Sequence, residues 1–73
     1  MQFEEWLATH RNRQSPLGDL ARDVSRDTNW PTGGGIDSYR FYLQRSTPWD
    51  GPLKALNNAW KTYRAYARRT SNV

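Results

Sequence analysis

Apolar side chains recur along the chain at helical rather than strand spacing, with turn signals between the runs. Phe3, Trp6, Leu7 and His10 fall at i, i+3, i+4 and i+7, and Glu4 and Glu5 stand in the first turn, where carboxylates suit the positive end of the helix dipole. This predicts a first helix over about residues 2–11. Ser15-Pro16 then pairs a hydroxyl cap with a proline at the first helical position, and Leu17, Leu20, Ala21 and Val24 share one face. A second helix is expected from Pro16 to about Asp27, its Asp19, Arg22, Asp23 and Arg26 forming a solvated outer face. Trp30-Pro31-Thr32 and Gly33-Gly34-Gly35 break the pattern and read as a flexible connector. Ile36, Tyr39, Tyr42 and Leu43 resume it, giving a third helix over about Ile36 to Arg45. Ser46 to Gly51 is a linker or a single turn. From Pro52 the spacing of Leu53, Leu56, Ala59, Trp60, Tyr63, Tyr66 and Ala67 carries a helix to about Arg69, with Asn57-Asn58 as a kink or the start of a separate helix.

The pattern therefore predicts an all-α, compact four- to five-helix bundle, one domain over residues 1–73 with a short disordered tail from about residue 70. Trp6 and Trp60 are expected to face each other across the core, and Trp30 to close it beneath the glycine connector. Trp49, in Thr47-Pro48-Trp49-Asp50-Gly51-Pro52, lies outside any stripe and is either an exposed anchor or a lid.

Size sharpens this picture. A chain of 73 residues buries only about 60% of its unfolded surface and needs an efficient core, which ten aromatic residues help to provide. With no cysteine and a single histidine, neither a disulfide framework nor a zinc cluster is available, so no metal or other cofactor is expected. A cytoplasmic setting suits a chain without cysteine, and acidic residues stand where a signal peptide would carry basic ones.

Charge divides the chain. Residues 1–36 hold four Lys/Arg against five Asp/Glu, whereas residues 37–73 hold seven against two and have no acid after Asp50. With Leu53 set at 0° and about 100° per residue, Arg64, Arg68, Lys61, Lys54 and Arg69 fall at about 20°, 60°, 80°, 100° and 160°. The apolar residues occupy the other side. The last helix thus carries an acid-free cationic ridge, a pattern that suits phosphates, to which Arg40 and Arg45 could add. The plainer reading is a solvated face whose cations offset the dipole near a helix C-terminus.

Catalytic constellations are missing. His10 sits on the apolar stripe of the first helix and reads as a packed or boundary histidine. The triple glycine lacks the Lys-Ser/Thr of a phosphate loop. Glu4 and Glu5 are about 100° apart around a helix and do not converge as an acid/base pair. No enzyme activity and no small-molecule substrate are expected.

The order of landmarks resembles the small bacterial YozE family, whose fold is similar to the sterile alpha motif (SAM). The matching stretches are Phe3-Glu4-Glu5-Trp6-Leu7 with Arg11-Asn12, Pro16-Leu17-Gly18-Asp19-Leu20-Ala21 with Asp23, then Asp27, Trp30-Pro31, Asp37, Tyr42-Leu43, and Ala59-Trp60 with Tyr63. The triple glycine and the strongly basic last helix depart from that pattern. The resemblance implies a SAM-like helical domain that binds nucleic acid or protein, and brings no catalytic residues with it.

Two functions follow as expectations. The first is a non-enzymatic module binding nucleic acid, DNA in the first instance, through phosphate contacts from Lys54, Lys61, Arg64, Arg68 and Arg69, with Arg40 and Arg45 extending the patch. The second is a protein-interaction module, acting through Trp49, Arg11 and Arg13, that self-associates or binds an acidic, host or phage protein. A monomer is the expected resting state. Membrane binding is not expected, because the apolar face of the basic helix is needed for the core.

Overall fold

The computed structural model describes residues 2–71, with side chains to Arg69, as four helices: α1 (Phe3–Ala8), α2 (Pro16–Arg26), α3 (Ile36–Ser46) and α4 (Gly51–Ser71). Each begins near its expected signal. The Ser15 hydroxyl accepts from the Gly18 amide at 3.3 Å, and Pro16 opens α2. At α3 the preceding residue is Gly35, whose φ of 90° suits glycine and strains other residues.

Two boundaries differ from expectation. α1 stops at Ala8 rather than near Arg11, because the amides of Thr9, His10 and Arg11 bond to carbonyls three residues back, at 3.1, 2.9 and 3.3 Å. The Thr9 hydroxyl also donates to the Trp6 carbonyl at 2.6 Å. These tighter turns lead the chain out of the helix. α4 is one helix of 21 residues that runs straight through Asn57-Asn58. Its backbone is helical through Ser71, and the remainder of the tail expected from about residue 70, residues 72–73, lies outside the described residues.

One core joins all four helices. Phe3 is its aromatic hub, with ring centroids of Tyr39 at 5.3 Å, Trp60 at 5.1 Å, Tyr63 at 5.4 Å and Trp6 at 6.0 Å. Leu7, Ala21, Tyr39 and Leu56 are almost completely buried around it. Trp6 and Trp60 do not meet as a simple pair; both pack on Phe3 and Tyr63, which link them. Trp6 is buried, while Trp60 is only partly so. Trp30 closes the core as expected, stacked on Tyr39 at 5.0 Å.

The glycine connector is a specific turn rather than a slack one. Glu4 reaches it from α1, its Oε2 accepting from Trp30 Nε1 at 3.1 Å and from the Gly33 amide at 3.2 Å. Gly33 itself has φ 79°, which favours glycine. Burial, and then the neighbouring Glu4 carboxylate, push the Tyr39 phenol up to about 12. The first-turn carboxylate that the sequence assigns to the helix dipole therefore ties α1 to the turn before α3.

α2 departs from a plain solvated face for a similar reason. Arg22 Nη1 donates to the carbonyls of Arg11 and Arg13 at 2.7 and 3.0 Å, while its Nη2 pairs with Asp19. The guanidinium thus satisfies loop carbonyls left without helical partners where α1 unwinds. The loop passes so close to α2 that a Cβ on Gly18 would lie 1.9 Å from the Arg13 carbonyl oxygen. Glycine is required there by space.

Candidate nucleic-acid interface

The buried stripe of α4 faces α1, α2 and α3, so its opposite side must face water, and the cations of the ridge stand there. Lys54, Lys61, Arg64, Arg68 and Arg69 are all exposed. Helix α3 crosses beside α4 and brings Arg40 to the same surface, where its Nε donates to Asn57 Oδ1 at 3.0 Å. Between the two helices lies an open groove of about 510 Å³, lined by Arg40, Asn57, Asn58, Trp60, Lys61, Arg64, Ala65 and Arg68. Four of those residues are cations and none is an acid.

The structure sorts the expected residues. Arg40, Lys61, Arg64 and Arg68 converge on the groove. Lys54 lies one to two turns toward the start of α4, with Nζ 3.5 Å from Asp50. Arg69 lies on α4 but outside the groove lining. Arg45, at the end of α3, is also outside it, with its guanidinium 5.5 Å from the centre of the Phe41 ring. Arg40 has one acidic neighbour, Asp37 at 3.8 Å, whose side chain is 97% exposed. Such a pair is worth little in water and leaves the guanidinium available.

Asn57 and Asn58 were not among the expected site residues. The signal was present, because Asn57 falls at about 40° on the same wheel as the ridge. As a potential kink, Asn57-Asn58 signals a helix boundary rather than a binding face. Phe41, 61% exposed on α3, is likewise outside the core stripe.

The residues of the alternative reading are dispersed. Trp49 is 63% exposed and sits over the start of α4, its ring 3.4 Å from where a Gly51 Cβ would stand. It is an exposed side chain rather than a lid. Arg11 and Arg13 are exposed in the α1–α2 loop, held there through their own carbonyls by Arg22. Trp49 and the two arginines thus stand on different connections of the bundle.

His10 packs edge-on against Trp6 at 4.6 Å, and partial burial followed by the charge of Arg13 lowers its pKa. It is the boundary histidine that its position in the stripe predicts. Among the described residues no group of three or more His, Cys, Asp or Glu side chains is placed to hold a metal ion. Nor is any helix there long and apolar enough to cross a membrane.

Fold and surface together define a small all-α bundle that presents a basic groove between its last two helices. The YozE SAM-like fold family matches residues 2–65, and the chain belongs to that family. Lys54, Lys61 and Arg64 fall within the matched span, whereas Arg68 and Arg69 follow it. Neither a curated protein nor a solved structure matches the chain.

Proposed function

We propose that this protein is a non-enzymatic nucleic-acid-binding module that holds the phosphate backbone, with DNA as its principal ligand, in the groove between α3 and α4. The supporting observation is the convergence of Arg40 with Lys61, Arg64 and Arg68 on one open surface without a carboxylate in its lining. Four cations in a row create a field that attracts a polyanion and release counterions when phosphates replace them. The polar groups of this open groove are four cations and two asparagines, so it positions a backbone rather than reading base edges, and weak sequence preference follows. Lys54 and Arg69 add longer-range attraction from outside it.

Fluorescence anisotropy with a labelled 12-base-pair duplex at several salt concentrations tests this reading. Four phosphate contacts give a log K versus log salt slope of about −3.6. Absence of binding at low salt refutes it.

A second reading, a protein-interaction module, is favoured by one observation, the 63% exposure of Trp49 in a proline-flanked loop. Large exposed aromatics at such positions serve as interface anchors. Growth in mass with concentration by light scattering, abolished by Trp49→Ala, is the result that reading requires.

A further inference from the structure

Building on the nucleic-acid reading, we infer that the groove seats a single strand, a run of about five phosphodiesters laid along α4, as an isolated strand or as one strand of a duplex. The cations are arrayed in one direction, along α4. Arg40 is held at the level of Asn57 by its hydrogen bond, and Lys61, Arg64 and Arg68 follow along the same helix. From position 57 to 68 the rise is about 16.5 Å at 1.5 Å per residue. A stacked strand advances about 3.4 Å per phosphate, so the row matches about five of them.

The cations make one row and not two. Arg69 is displaced from Arg64 by about 140° around the helix and cannot join the same strand. Lys54 and Arg45 lie outside the groove lining, Lys54 nearer the start of α4 and Arg45 over Phe41. A partner strand across a major groove about 12 Å wide finds no matching second row on this surface. A duplex therefore gains little over an isolated strand.

The groove also limits what is read. Trp60 lies in its lining, but the ring is already packed against Phe3, Tyr39 and Tyr63. Partly buried in this way, it offers a base only a limited area to stack on. Asn57 has its carbonyl oxygen occupied by Arg40, leaving its NH₂ to donate, which suits phosphate oxygens. Binding along this track is consequently tolerant of base identity.

The test is a length series of fluorescein-labelled oligothymidylates of three, five, eight and twelve nucleotides beside the 12-base-pair duplex, using the whole protein. Affinity is expected to rise steeply to about five nucleotides and then only in proportion to the number of overlapping sites, with a salt slope of about −2.8 for single strands. Unlabelled five-mer should compete fully with the duplex. Arg40→Gln and Arg64→Gln should each lower the single-strand slope by about 0.7, and Arg45→Gln should leave it unchanged; helical circular dichroism checks that each variant is folded. Duplex binding that no single strand competes for, or affinity that keeps climbing steeply past eight nucleotides, overturns the one-strand track while the nucleic-acid reading stands. No binding of any probe at low salt overturns both.

Discussion

Gly18→Ala separates what helix propensity predicts from what packing predicts. On propensity alone, alanine inside an α-helix stabilises by about 1 kcal/mol relative to glycine. The structure reverses the sign. A Cβ at position 18 would stand 1.9 Å from the Arg13 carbonyl oxygen, where ordinary contact begins at 3.4 Å, so backbone must move by about 1.5 Å. Forcing a methyl into filled space costs about 1–3 kcal/mol. Displacing that carbonyl also disturbs the Arg22 bonds at 2.7 and 3.0 Å. Because these are solvent-exposed, each contributes only about 0.5–1.5 kcal/mol. After the propensity gain, the net loss is about 2 kcal/mol, out of about 4–11 kcal/mol available to a chain of this length. Urea unfolding followed by tryptophan fluorescence should show the midpoint falling by about 2 M for a slope near 1 kcal/mol/M. Combined with Arg22→Ala, the loss should be smaller than the sum of the two, since both act on the same carbonyls. A Gly18→Ala midpoint equal to or above that of the parent would refute the close approach of loop and helix.

Alkaline stability provides a second check. The Tyr39 phenol ionises at about 12 in the folded protein and near 10 when unfolded, so the folded state keeps its proton longer. Its stabilising contribution is complete below pH 10 and is lost as pH rises to 12, by at most about 3 kcal/mol. Comparing urea midpoints of parent and Tyr39→Phe between pH 9 and 11.5 isolates this contribution, and parallel curves would contradict it. Trp49→Ala should leave the unfolding free energy from urea titration unchanged to within about 0.5 kcal/mol, because the side chain is 63% exposed; a large loss would place Trp49 in the core.

Features set by local physics are legible in the sequence. A period of 3.6 sets an apolar stripe, so the helical class, the four main runs and the outward direction of Lys61, Arg64 and Arg68 are legible without coordinates. The Ser15-Pro16 start is equally local, since cap and amide are three residues apart. The single long α4 was less legible, because Asn57-Asn58 lowers helix propensity only modestly and packing of Leu56 and Ala59 on either side overrides it.

What the chain determined by itself is thus the set of helices, the faces they bury and the basic character of the last one, all properties of neighbours within a turn or two. Tertiary structure alone decided the partners across the fold. Glu4 leaves the dipole of α1 for Trp30 and Gly33, 26 and 29 residues away, and Arg22 secures carbonyls nine and eleven residues behind it. Arg40, 17 residues before Asn57, enters the groove only because α3 packs beside α4. Periodicity states which side of a helix is apolar, but the angle and order in which those sides meet are set by the packing of Phe3, Tyr39, Leu56 and their neighbours into one dense core. A row of cations on one helix becomes a groove when that packing supplies its second wall.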